Sequence, residues 1–203
     1  MVRIASLTAL AALIAPLSLA HAGPVGVRVV DLAGRPVPDA VVTLHPASGV
    51  PAGPIRFPWG TTMTQKDITF RPGTLIVPVG ASVAFPNHDK VRHHVYSFSK
   101  PARFELKLYG RDQTRSYTFR TAGAVALGCN IHDRMQGFIK VVDTPFAALT
   151  NAAGQTRVDG VTAGNARLTV WHPRLKAKHN EATFVLDVPA AGAVAKQIQI
   201  GLR

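Results

Sequence analysis

The chain is predicted to be all-β, built from two β-sandwiches with one carried inside the other. Short apolar runs with period-two alternation recur along it, broken by Gly, Pro, Asn and Asp at intervals of about ten residues. No segment sustains a helical apolar period long enough to form a confident helix. The length beyond the leader, roughly 180 residues, suits one large or two small domains.

The leader comes first. A single Arg3 precedes an almost wholly apolar stretch from Ile4 to Leu19, which ends in Ala20-His21-Ala22. One positive charge, a short apolar core and an A-x-A ending describe a cleavable secretory signal over 1–22. The stretch is short for a membrane span, which needs roughly 20 apolar residues. No second long apolar run follows, so the expected product is exported to the periplasm, soluble and without stable membrane insertion.

The strands then follow in order. Val25 to Val30 alternates, Asp31-Leu32-Ala33-Gly34-Arg35-Pro36 carries turn chemistry, and Ala40 to Leu44 resumes a strand. Thr74 to Val79 and Ser82 to Phe85 flank a break at Gly80. Further strands are expected at Val95 to Phe98, Phe104 to Tyr109, Ser116 to Phe119, Val125 to Cys129 and Phe138 to Val142. Pro46 to Pro54 is rich in residues that interrupt structure, and Asp143-Thr144-Pro145 marks a second boundary. The segment between them, 55–143, has about ninety residues, a normal size for one sandwich. Neither flank, 23–54 or 144–203, has enough strands to bury a core alone. Together they do, which predicts a discontinuous sandwich interrupted at the surface.

Charge and cysteine usage bound the function. Twenty-three Lys and Arg stand against eleven Asp and Glu, for a formal net charge of +12. Such a surface attracts acidic proteins or anionic membranes, and export removes nucleic acid as a partner. The chain has one cysteine, which no internal disulfide can use. In an exported protein a lone cysteine suggests intermolecular pairing, a reactive thiol or metal ligation.

That cysteine opens Cys129-Asn130-Ile131-His132-Asp133-Arg134-Met135, and upstream runs Asn87-His88-Asp89-Lys90-Val91-Arg92-His93-His94. One thiolate, two imidazoles and a weak thioether form the ligand set of a blue-copper electron-transfer site. Zinc favours a fuller tetrahedral set of Cys and His, and a Met ligand argues against it. On a strand ending at Cys129, Val125, Leu127 and Cys129 share the inward face. His45, His172 and His179 have no ligand spacing, and Met63 reads as core.

Several motifs carry a family resemblance. Phe70 to Leu75, Val79 to Asn87, Ala122 to Cys129 and the C-x-x-H-x-x-M spacing of Cys129, His132 and Met135 resemble the cupredoxin family, in its amicyanin and plastocyanin branch. The resemblance covers residues 55–143. It implies a cupredoxin-like Greek-key sandwich holding one copper ion, Cu(II)/Cu(I), through His93, Cys129, His132 and axial Met135. His94 stands where the family has an Asn that braces the site, and it remains the alternative ligand to His93. The stretches Val29 to Leu44 and Thr150 to Val170 resemble the two halves of a carboxypeptidase-regulatory-like, transthyretin-like sandwich.

The expected function is therefore a periplasmic carrier of single electrons, with His132 as the exposed electron-passing edge. Lys90, Arg92 and Arg134 would give that edge a positive rim, which suits an acidic redox protein partner. The alternative is a copper-binding module for metal buffering or delivery. No nucleophile–base pair or paired carboxylates forms a recognisable motif, so an enzyme is not expected.

Overall fold

The computed structural model describes residues 23–203, so the predicted leader lies outside the described residues. The chain opens with β1 (Val25–Asp31) and β2 (Val41–Pro46), then a short hairpin of β3 (Thr64–Lys66) and β4 (Thr69–Arg71). Next come β5 (Thr74–Pro78), β6 (Ser82–Pro86), β7 (His93–Ser99), β8 (Ala102–Tyr109), β9 (Thr114–Thr118), β10 (Gly123–Gly128) and β11 (Gln136–Val142). The last strands are β12 (Ala147–Leu149), β13 (Gln155–Val158), β14 (Gly164–Trp171), β15 (Glu181–Val188) and β16 (Val194–Ile200). Among the described residues, no helix is long and apolar enough to cross a membrane.

Strand pairing sorts these elements into two sets. The middle strands form a five-stranded sheet, β5-β11-β10-β7-β8, in which β11 and β5 run parallel. Facing it are the pairs β3-β4 and β6-β9, linked by bridges Thr62–Ala84 and Gln65–Asn87. Phe85, Phe119, Tyr109, Met63, Val125 and Ile139 fill the space between the layers and are almost wholly buried. In the other set, β1 pairs with β13 and β16, and β2 with β12 and β14. The two opening strands thus find their sheet partners only after residue 146. Valines of β1 pack against Leu44, Leu168, Val170 and Ile198 in a separate core. Side chains tie the flanks further: Thr150 Oγ1 donates to Val37 O at 2.7 Å, and Thr144 Oγ1 to Leu44 O at 2.7 Å.

A third cluster joins the two sets. Val41 and Trp171 from one meet Ile76 and Val142 from the other. Ile139 and Val141 of β11 face the inner core, so Phe138, Lys140 and Val142 turn outward by strand alternation. That outer face is covered. The Phe138 ring meets Trp171 edge-on at 5.6 Å. Lys140 is buried, pairs with Glu181 of β15 and lies 5.9 Å from the Trp171 ring centre.

Two local features depart from the expected elements. The strand expected to run to Cys129 ends at Gly128, which leaves the cysteine just past the last paired residue. The β3–β4 hairpin was not legible at all. Its turn places Asp67 and Ile68 at φ 56° and 54°, and a β-branched residue in that region is the opposite of a turn signal.

Candidate metal centre

Three elements bring the site together. β7 supplies His93 at its start, and the loop from β10 to β11 supplies Cys129, just past the strand end, with His132 and Met135. Two successive turns fold that loop back: His132 N–H donates to Cys129 O at 3.4 Å, and Met135 N–H to His132 O at 2.8 Å. Cys129 follows Val125 and Leu127 on the core side, and all three are buried. His93 and Val95 are wholly buried together, opposite an irregularity in which Tyr109 and Leu106 of β8 are their partners.

The ligand atoms converge. His93 Nδ1 lies 3.8 Å from Cys129 Sγ, and His132 Nδ1 lies 3.5 Å from it. One ligand atom from each of the three residues lies within 4.8 Å of the other two. Metal–sulfur and metal–imidazole bonds of roughly 2.3 and 2.0 Å, at roughly 110–120°, separate S from N by about 3.5–3.7 Å. The donor set and its spacing therefore fit one soft-to-borderline ion. Met135 is buried in the same core as Cys129 and lines the same groove. His132 is only half-buried, so its ring forms the edge of the site nearest solvent.

His94 points elsewhere. Its Nε2 pairs with Glu105 at 2.8 Å, and its Nδ1 is buried without a partner. His88 is exposed, near Asp112. Two other residues, Asn87 and Asp89, hold the loop that leads into His93. Asn87, fully buried, donates to Val91 O at 2.9 Å and Tyr109 O at 3.2 Å, and accepts from Asp89 N–H at 2.9 Å.

Asp89 is the functional residue that sequence reasoning missed. Its carboxylate meets His93 Nε2 at 2.7 Å and accepts the N–H groups of Asp67 at 2.7 Å and Ile68 at 3.0 Å. Burial alone would raise its pKa. The hydrogen bonds from Ile68, His93 and Asp67 outweigh burial and hold it below the usual carboxylate value. The anion aims Nδ1 of His93 at the cysteine and ties the β3–β4 turn to the site. Its only sequence signal was its place four residues before the histidine in a loop. Nearby, burial pushes Tyr109 up to about 12, and its hydroxyl donates to Phe85 O at 2.8 Å.

No family model and no curated protein matches the chain. Among solved structures, it is similar to a purple cupredoxin from Nitrosopumilus maritimus, at 19% identity over 41% of this chain and 100% of that one, with a TM-score of 0.38. A reduced tryptophan-to-tyrosine mutant of amicyanin aligns at 23% identity over 51% of this chain and 99% of that one, TM-score 0.38. A copper-containing nitrite reductase from Thermus scotoductus aligns at 25% identity and TM-score 0.40, covering 58% of this chain but 28% of the reductase. These neighbours are cupredoxins and a copper-containing nitrite reductase; the strands themselves show that the fold is all-β. The case for a metal stands on the ligand geometry itself.

Proposed function

We propose that the chain is a blue-copper protein that carries single electrons between partner proteins in the periplasm. His93, Cys129 and His132 would hold the ion, with Met135 as the weak axial donor. The observation that carries this reading is the triangle of Sγ and two Nδ1 atoms, held in a buried pocket by strands and a short braced loop. Copper, when bound, supplies reversible one-electron exchange between Cu(II) and Cu(I).

The chain's own residues do the rest. Burial of His93, Cys129 and Met135 excludes water from three sides. The Asp89 and Asn87 bonds keep the first ligand loop in one arrangement, so reorganisation between oxidation states stays small. Half-exposed His132 offers the short route to a docked partner. Lys90 and Arg92, in the loop before His93, and Arg134, two residues after His132, are exposed and would favour an acidic one. The segment 55–143 would be an inserted copper module and the flanks one discontinuous sandwich; the pairing of β1 and β2 with late strands supports that division.

Metal delivery would need an exchangeable site, and the burial of these ligands disfavours it. Voltammetry of the copper-loaded chain, set against its copper-exchange rate with a chelator, separates the two functions. A reversible one-electron wave with slow exchange is expected; fast exchange with no reversible wave overturns the carrier reading.

Two substitutions probe the shell. Met135→Leu is expected to retain copper and raise the reduction potential, because lost thioether donation favours Cu(I); an unchanged potential in voltammetry would remove Met135 from the ligand set. Asp89→Asn keeps an acceptor for His93 but removes the charge that makes the imidazole a stronger donor. Its potential is also expected to rise, with the visible spectrum nearly retained.

A further inference from the structure

We propose a second docking face, for an acidic electron-transfer protein, in the groove between the outer face of β7, β10 and β11 and the flanking sandwich. It rests on the blue-copper reading and adds to the His132 edge a route that leaves from the other side of Cys129.

The route begins at Gly128. A Cβ built there would lie 2.7 Å from Tyr96 Cζ and 2.8 Å from its hydroxyl oxygen. Only glycine lets the ring lie against the backbone of the residue bonded to Cys129. Tyr96 continues an aromatic row on β7: His94 is 5.7 Å from it on one side, and Phe98 is 5.2 Å away on the other. Phe98 is 80% exposed, the most exposed large apolar side chain among the described residues. An exposed aromatic ring beside a concave surface offers large, rigid contact area to a partner.

The concavity runs both ways from that row. A groove of about 500 Å³ is lined by Tyr96, Phe98, Ala126 and Cys129. A second, of about 550 Å³, shares Ser99, Ala126 and Phe138 with it and is walled by Trp171 and Pro173 of the flanking sandwich. Lys100, Arg103, Arg174 and Lys178 are exposed around this stretch. Of the acidic groups along it, Glu105 is engaged by His94 and Glu181 by Lys140, while Asp133 stands exposed at the metal end. The balance of charge selects an acidic partner. With that partner seated, copper held by His93, Cys129 and His132 would supply one electron, and an oxidised haem iron of the partner would accept it. No bond or proton changes hands.

The test maps contact without electron flow. The ¹⁵N-labelled chain is titrated with an acidic c-type cytochrome, both proteins reduced, and once more with copper omitted. Amide shifts are expected at Phe98, Ser99, Ala126 and Lys178 in both titrations, and Phe98→Glu is expected to weaken binding about tenfold. Shifts confined to Val91, Ile131 and Arg134, no shifts at all, or a Phe98→Glu affinity within threefold of the parent would overturn the proposal. Because the map does not depend on the metal, it separates from the copper reading, which fails instead if Cu(II) loading produces no thiolate charge-transfer band.

Discussion

Loading with Cu(II) is expected to produce intense visible absorption, and Cys129→Ser is expected to abolish it. The band belongs to charge transfer from a thiolate to copper, and the chain has one cysteine to supply it. A serine hydroxyl in the same place is neither ionised at neutral pH nor soft enough to replace it. The side chain is nearly isosteric, and residue 129 sits at a strand end beside two imidazoles, so the fold should survive the change. Stability gives a second readout. A ligand at a thousandfold over its Kd stabilises the folded state by about 4 kcal/mol. For a chain of this size that raises the Tm by about 10 °C. Parent protein should show this rise on copper loading and Cys129→Ser should lose most of it, measured by absorption and calorimetry on the same samples. A colourless Cu(II) adduct of the parent, with the thiol still reactive, would sink the assignment.

The second large effect concerns the junction. Trp171→Ala is expected to cost about 3–5 kcal/mol, the usual range for truncating a buried large aromatic. The ring is 2% exposed, stands edge-on to Phe138, and lies beside the Lys140–Glu181 pair. Removing it opens a cavity where β11 meets β14 and lets water reach a buried ammonium. The Tm should fall by about 10 °C. Urea unfolding followed by far-ultraviolet circular dichroism and by the visible copper band should show both transitions moving together, because β11 leads directly from the Met135 loop into this junction. A copper-band midpoint that stays put while the dichroism midpoint falls would mean that the two sets of strands unfold independently.

The class of the fold and the ligand candidates lay in the sequence because both depend on short-range signals. Alternation along β1, β5 and β11 reports which side of each strand is buried, and the three- and six-residue steps from Cys129 to His132 and Met135 are local geometry. Finding Asp89 beside His93 and seeing Tyr96 against Gly128 required the folded chain. Each is decided by contacts between segments that sequence order does not bring together. Asp89 acts by tying the loop before β7 to a hairpin whose turn pairs Asp67 with the β-branched Ile68, and a lone Asp beside an Ile does not announce a hairpin. Lys140 makes the point most simply. Along the strand it looks like an outward, solvated lysine, and it is outward. Only the packing of β14 and β15, which bring Trp171 and Glu181 against it from 31 and 41 residues further along the chain, turns that outward face into an interior.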